Sequence, residues 1–462
     1  MLTGMVEDTK KKTLNFRRLK GLKVLVVGLG RSGLSAARML QYADARVFGV
    51  DRANPQNIPE WIEVLPYDCD IKQFDLVVIS PGVPWTEAPV VKALKQNLEI
   101  IGELELAYLM VKEYQIPWIA ITGTNGKTTT TTLVDLVLKT AGYNVLTGGN
   151  IGKAVGDVLL DALTNNHLNE TDYIVVEVSS FQLESIREFA PHIGAVLNIT
   201  EDHMDRYRGM KEYIDAKRNI SINQTEEDYM VLNFDDPITR AFAEDSRARA
   251  IFFSTKHEIQ GAYLLKEDIV VDRGAGPERV LKAKEVALRG LHNLENALAA
   301  TAICSLAGCD LSAIATVLKD FRGLEHRMEM VAEFGGVTYI NDSKGTNLAA
   351  TVKSIEGIAG SVVLILGGRD KGGDFSVLRN FRHRIKALVS LGEAREKIKK
   401  ELSDLFQIEE AVDMEQAVKK AASLASPGDT VLLSPGCASF DMFKNYEHRG
   451  EVFKTAVRRL MR

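Results

Sequence analysis

The sequence predicts an α/β protein with three domains, each an open, mostly parallel sheet with flanking helices. Three observations carry that expectation. Short apolar runs recur at residues 23–27, 118–122 and 362–366, and each is continuous rather than alternating, the pattern of a strand buried on both faces. Each run leads into glycines or hydroxyl residues, the composition of a strand-to-helix turn. Strand patterns alternate with helical ones along the chain, which favours parallel strands joined by crossover helices.

The elements follow in order. The run at 23–27 enters Gly28-Leu-Gly-Arg-Ser-Gly33, then a helical stretch at 34–40 and strands at 46–50 and 76–79, the last ending at Ser80-Pro-Gly82. This is expected to be a Rossmann-like domain over 1–115. After Pro117 the run 118–122 opens a second domain, of P-loop type, over 116–322. Its further strands are expected at 173–178, 195–199 and 229–233, with a closing helix at 293–306. The third, again Rossmann-like, covers 323–462, with strands at 337–341, 362–366, 387–391 and 430–433. In such sheets ligands bind beyond the carboxyl ends of strands. Glu177, His203, Asn341-Asp342 and Ser434-Pro-Gly436 all fall at or just after those ends.

Composition narrows the class. With 462 residues, 45% apolar and 26% charged, the chain has the balance of a globular protein. A net charge of -5 gives no support for nucleic-acid or membrane-surface binding. Four cysteines without metal spacing suit a reducing compartment. Lys10, Lys11 and Lys12 are not followed by an apolar h-region, and no apolar run is long enough for a membrane span. The expected location is the cytoplasm. No heptad or interface motif stands out, so a monomer is expected.

The central loop carries the first chemistry. In Gly123-Thr-Asn-Gly-Lys-Thr-Thr129, glycines let backbone N–H groups approach phosphate oxygens, and the helix start adds a favourable dipole. Thr124 and Asn125 complete the cradle around Gly126. Lys127 is expected to neutralise β- and γ-phosphate charge, and the Thr128 hydroxyl to hold Mg²⁺. Position 121 is Ile where the usual pattern has glycine. The competing reading is a tight turn with a solvated lysine. Glu177 at a strand end and His203 in Glu201-Asp-His203 add a carboxylate and an imidazole, which with a threonine hydroxyl suit Mg²⁺ or Mn²⁺ beside phosphates. By itself Lys217, on a helical stretch, reads as a surface lysine. Gly28-Leu-Gly-Arg-Ser-Gly33 with Asp51 fits a dinucleotide fingerprint. With ATP chemistry placed elsewhere, a ligand-anchoring role suits it better than hydride transfer.

Together the 123–129 loop, the Glu177 and His203 motifs, His292-Asn-Leu-Glu-Asn296 and Glu325-His-Arg327 resemble those of the Mur ligases and their folylpolyglutamate synthetase relatives. The resemblance runs from Gly28 to Gly450. Asn341-Asp-Ser-Lys-Gly-Thr-Asn347, Gly367-Gly-Arg-Asp-Lys-Gly-Gly373 and the string from Leu433 to Gly450 resemble the branch that adds D-glutamate.

That resemblance implies an ATP-dependent amide ligase acting on UDP-N-acetylmuramoyl-L-alanine and D-glutamate through an acyl phosphate, with ATP and two Mg²⁺ ions. It implies a carbamylated lysine at Lys217, serving a second metal. Asn293 and Asn296 match adenine-side residues, and Arg327 and Asp342 match residues that close over ATP. Lys344 joins Lys127, His203 and Lys217 in the implied catalytic set. Arg31, Ser32, Asp51, Arg52, Gly82, Asn150 and Gln182 match the UDP-substrate side. Thr346, Lys371, Ser439 and Phe440 match a D-glutamate pocket. Gly345, Gly436, Tyr446 and Arg52 depart from residues frequent in relatives. The alternatives are another Mur ligase, a folylpolyglutamate synthetase-like ligase, and a nucleotide-binding switch without ligase activity.

Overall fold

The computed structural model describes residues 16–53, 58–150, 153–203, 206–288, 290–358, 360–370 and 372–461. Lys10 to Lys12 and Lys371 lie outside these residues. Among the described residues the strands form three sheets, of five, nine and six strands.

The first sheet runs Glu63–Val64, Arg46–Val50, Lys23–Val27, Leu76–Ile79, Glu99–Gly102 in space, and every pairing is parallel. Its central strands are buried because helices cover both faces, which is why they read as unbroken Val and Leu runs.

The second sheet begins Val145–Gly149, Tyr173–Glu177, Trp118–Thr122, Ile193–Val196, Tyr229–Asn233, Arg249–Ser254, all parallel. It continues through Gly261–Leu265, parallel to its neighbour, and then turns antiparallel at Asp268–Asp272 and Pro277–Lys282. The third sheet runs Glu329–Phe334, Val337–Asn341, Thr430–Leu433, Val362–Gly367, Ile385–Leu391, Ile408–Glu410, with only the first pairing antiparallel.

These sheets belong to two compact units. One ends at Phe321 and holds the five- and nine-stranded sheets; the other begins at Arg322 and holds the six-stranded sheet. Within the first unit, the helix Glu103–Val111 is buried on nearly every side. It packs on the helices Arg31–Tyr42 and Val155–Thr164, one from each sheet. Among the described residues no helix is long and apolar enough to cross a membrane.

Candidate active site

The strand Trp118–Thr122 and the helix Lys127–Thr140 build the phosphate loop between them. Gly126 caps the helix at φ +81°, and a Cβ there would stand 2.2 Å from Asn296 Oδ1. Both its backbone and its surroundings therefore require glycine. The loop is pinned from the next strand end. Thr124 N–H donates to the Asn198 carbonyl at 2.9 Å, and Asn125 N–H donates to Asn198 Oδ1 at 2.8 Å. Lys127 Nζ donates to the carbonyls of Gly123 and Thr124, at 2.8 Å each. Thr128 is buried and Thr129 half-buried in the first helical turn, where the dipole favours an anion. Thr130 Oγ1 donates to Asn296 Oδ1 and Asn296 Nδ2 to Asn293 Oδ1, both at 3.4 Å. Both asparagines lie in the first half of the helix Leu291–Leu306. The structure thus brings 123–130, Asn293 and Asn296 together.

Glu177 pairs in register with Ile121, so its strand ends beside the phosphate-loop strand. Its Oε1 accepts from Asn150 Nδ2 at 2.9 Å, while its buried Oε2 has no hydrogen-bond partner. A buried carboxylate oxygen left alone is costly, and a hard cation is the group that suits it. The Glu177 carboxylate and the Thr128 hydroxyl are oxygen donors of the kind Mg²⁺ takes, whereas the His203 imidazole is a less usual ligand for it. His203 has φ +57° and its ring centroid lies 4.8 Å from that of Phe181.

Lys217 is only 2% exposed on the helix Met210–Arg218, far from the solvated lysine its helical context suggested. Its Nζ donates to the Gly123 carbonyl at 2.9 Å and sits 4.7 Å from the Tyr213 ring centroid. Burial, followed by the nearby Lys127 charge, pulls its pKa well below the usual lysine value.

The N-terminal loop sits on the same compact unit. Gly33 must be glycine, since a Cβ would lie 1.8 Å from the Gly28 carbonyl oxygen. Arg31 and Ser32 fall in the first turn of the helix Arg31–Tyr42. Asp51 accepts from Leu29 N–H at 2.6 Å and Ala53 N–H at 2.7 Å, which holds the glycine loop against the second strand. Arg31 Nη2 donates to the Asn150 carbonyl at 3.1 Å, so Arg31, Asn150 and Glu177 form a chain of contacts. Arg52 is exposed and pairs with Glu87 at 3.4 Å. Gly82 is exposed in the loop after Leu76–Ile79. Gln182 is buried, and its side chain completes the capping box with Ser179.

The second unit gathers its own set. Asp342 follows Val337–Asn341 and accepts from Ser354 Oγ at 2.6 Å and Ser434 Oγ at 2.8 Å. Burial raises its pKa against those donors. Lys344 N–H donates to the His326 carbonyl at 3.0 Å, and its Nζ lies 5.5 Å from the Tyr446 ring centroid. Thr346 N–H donates to the Lys344 carbonyl at 2.8 Å. Arg327 is half-buried, Ser439 buried and Phe440 exposed.

Sequence reasoning gave no role to Arg449. It is buried, and it donates to Ser343 Oγ, the Ser343 carbonyl and the Cys437 carbonyl at 3.0, 2.8 and 3.1 Å. Its only sequence signal was its place in the 433–450 string. Glu325, His326 and Glu451 have metal-like grouping. There, however, Lys454 Nζ lies 2.6 Å from Glu451 and 3.4 Å from Glu325, so a lysine supplies the cation.

Comparison with known proteins agrees with this layout. Three family models match in succession: the Mur ligase MurD-like N-terminal domain over 22–102, the Mur ligase middle domain over 121–304, and the Mur ligase glutamate ligase domain over 326–437. The UDP-N-acetylmuramoylalanine–D-glutamate ligase of Geotalea daltonii is 42% identical, over 96% of this chain and 98% of its own. The protein of that name from Caldanaerobacter subterraneus subsp. tengcongensis is also 42% identical, over 96% of this chain and 100% of its own. In fold, the chain resembles a pseudomurein peptide ligase type C from Methanothermus fervidus, with TM-score 0.54 and 20% identity over 95% of this chain and 100% of that one. With full-length relatives at this identity, the chain belongs to the Mur ligase family.

Proposed function

We propose that this protein is an ATP-dependent ligase joining D-glutamate to UDP-N-acetylmuramoyl-L-alanine, in cytoplasmic peptidoglycan precursor synthesis. The observation that carries the reading is the full-length likeness, at 42% identity, to ligases of that name.

The chemistry is a two-step acyl transfer. A carboxylate is a poor acyl donor. An oxygen of the alanyl carboxylate attacks the γ-phosphorus of ATP, the bond to ADP breaks, and an acyl phosphate forms. The D-glutamate amine, having lost a proton, then attacks the carbonyl carbon. The tetrahedral intermediate loses a second proton from its nitrogen, expels phosphate and leaves the amide. The first step brings two anions together, so cations must screen them.

In this reading the 123–129 backbone and Lys127 hold the β- and γ-phosphates. Asn293 and Asn296 serve the adenine side, and Arg327 and Asp342 serve the ATP side of the C-terminal domain. Thr128, Glu177 and His203 would hold Mg²⁺, which supplies Lewis-acid charge at the phosphates. Lys217 is suited to carbamylation because burial favours its neutral amine. That amine adds to carbon dioxide, loses one proton, and becomes an anionic carbamate fit for a second metal. Lys344 adds positive charge for the reacting groups. Arg31, Ser32, Asp51, Arg52, Gly82, Asn150 and Gln182 take the UDP-substrate within 1–115 and its junction with 116–322. Thr346, Lys371, Ser439 and Phe440 take D-glutamate within 323–462. The chain is expected to act as a monomer.

The deciding experiment is a phosphate-release assay with ATP, UDP-N-acetylmuramoyl-L-alanine and a panel of D-glutamate, L-lysine and meso-diaminopimelate. Release is expected only when the nucleotide substrate and D-glutamate are both present. Turnover with L-lysine or meso-diaminopimelate in place of D-glutamate would sink the reading. Release needing neither acceptor would leave a nucleotide switch.

A further inference from the structure

Three strand-end loops meet on one carboxylate. Glu184 directly follows the short helix Ser180–Leu183, seven positions beyond the metal-side Glu177. Its Oε2 accepts from Trp85 Nε1 at 3.0 Å and from Arg206 Nη2 at 3.1 Å. Its Oε1 accepts from the Tyr207 hydroxyl. Trp85 belongs to the loop after the strand Leu76–Ile79, the loop that contains Gly82. Arg206 and Tyr207 follow His203.

Arg206 closes the arrangement. Its Nη1 donates to the Pro81 carbonyl at 2.8 Å and its Nη2 to the Val83 carbonyl at 3.2 Å. The guanidinium thus grips the residues on either side of Gly82. Its carbon lies 4.2 Å from the Phe181 ring centroid, and Phe181 in turn packs on His203. Arg206 and Glu184 side chains are 13% and 14% exposed, so these charge-assisted bonds are little weakened by solvent.

A planar fork presents separate nitrogens to two carbonyls and a carboxylate in fixed directions, whereas a lysine offers one ammonium nitrogen on a flexible stem. Nothing in this cluster bears a reacting group. Its members instead tie the backbone around Gly82 to the segments that carry Glu177, Gln182 and His203. We propose that Arg206, anchored by Glu184, is a positioning residue that locks the nucleotide-substrate loop at Gly82 to the metal-side loops, so that it sets affinity for the uridine-nucleotide substrate. This rests on the proposed function for the identity of that substrate.

The test is steady-state kinetics of Arg206→Lys and of Trp85→Phe, which removes the indole donor to Glu184 and keeps an aromatic ring there, with the full chain and all three substrates. Arg206→Lys is expected to raise KM for UDP-N-acetylmuramoyl-L-alanine about tenfold, with KM for ATP within about twofold of the parent. Trp85→Phe is expected to raise the same KM by a smaller factor, with kcat and KM for ATP close to the parent's. A purely structural role would instead lower kcat and melting temperature together with no preference among substrates. That result, or unchanged KM values in both variants, would overturn the inference. Should Arg206→Lys not fold, the Trp85→Phe KM decides alone. Failure of the proposed function is separate, because it would show as a parent enzyme that does not turn over this substrate pair.

Discussion

Lys217 Nζ donates to the carbonyl oxygen of Gly123 at 2.9 Å, so a buried lysine from a distant helix touches the backbone of the phosphate loop itself. Burial and Lys127 hold its pKa well below the usual value. At a pH between the lowered value and the ordinary one, the unfolded chain keeps this amine protonated while the folded chain releases the proton. The unfolded state therefore binds more protons, and stability rises with pH between the lowered value and the ordinary one. Lys217→Met is expected to unfold at higher temperature than the parent in neutral buffer stripped of carbon dioxide, and with a weaker pH slope. Its ligase activity is expected to fall about a hundredfold or more. Thermal unfolding across weakly acidic to weakly alkaline pH checks the first, and phosphate release the second. Lys217→Ala tests the carbamate: short carboxylic acids at millimolar concentration are expected to restore part of its turnover.

Gly126 carries two constraints at once, a left-handed backbone and contact with Asn296. An alanine pays about 1–2 kcal/mol for the backbone alone, before its Cβ displaces the Asn296 amide. Gly126→Ala is expected to weaken ATP at least about tenfold while sparing the uridine nucleotide. Titration calorimetry with each nucleotide would separate the two, and equal weakening of both would show that the change spreads beyond the loop.

What was legible in the sequence follows burial. Lys23–Val27 and Val362–Gly367 are almost wholly buried strands, so they appear as unbroken apolar runs. Pro277–Lys282 lies at a sheet edge with its first residues exposed, and Pro-Glu-Arg-Val-Leu-Lys carries no such run. The antiparallel end of the central sheet was accordingly not foreseen. The phosphate loop was legible because its chemistry is local. Lys217 was not legible on its own, since its burial comes from packing against a loop ninety-four positions away. Glu103, Glu184, Arg206 and Arg449 share that difficulty: each is an ordinary charge in sequence, and only tertiary contacts make it buried, as for Glu103 and Arg449, or half-buried, as for Glu184 and Arg206.

Glu103 joins the two sheets of the first unit. Its Oε1 accepts from Gly156 N–H at 2.8 Å and Ser35 Oγ at 3.4 Å, and its buried Oε2 has no hydrogen-bond partner. Burial pushes its pKa up to about 7, against the two donors and the Arg31 charge, with Asp157 adding to the rise. The folded chain thus keeps a proton that the unfolded chain loses at lower pH. The stabilisation is fully present below the ordinary carboxylate range and is lost as pH rises through about 7. Glu103→Gln keeps an acceptor for Gly156 and cannot ionise. Its melting temperature is expected to fall less than the parent's between mildly acidic and mildly alkaline pH, measured calorimetrically in matched buffers. An unaltered slope would place the titration elsewhere.

Arg449 offers the sharpest test of the second unit. Its guanidinium spans Ser343, between Asp342 and Lys344, and Cys437, two residues before Ser439. Burial pulls its pKa down to about 10, so it stays charged at neutral pH and adds no pH dependence there. Its partners are neutral oxygens, so the desolvated charge is held by hydrogen bonds alone. Lysine keeps the charge but cannot reach both loops with a fork. Arg449→Lys is expected to cost about 2–4 kcal/mol, the scale of breaking buried charged hydrogen bonds. Because the loops it joins carry residues proposed above for D-glutamate and for the ATP side, KM for D-glutamate is expected to rise as well. Urea unfolding followed by amide exchange at 342–344 and 437–439 would locate the loss. Exchange unchanged in both segments would mean that Arg449 supports the helix Tyr446–Leu460 rather than the loops.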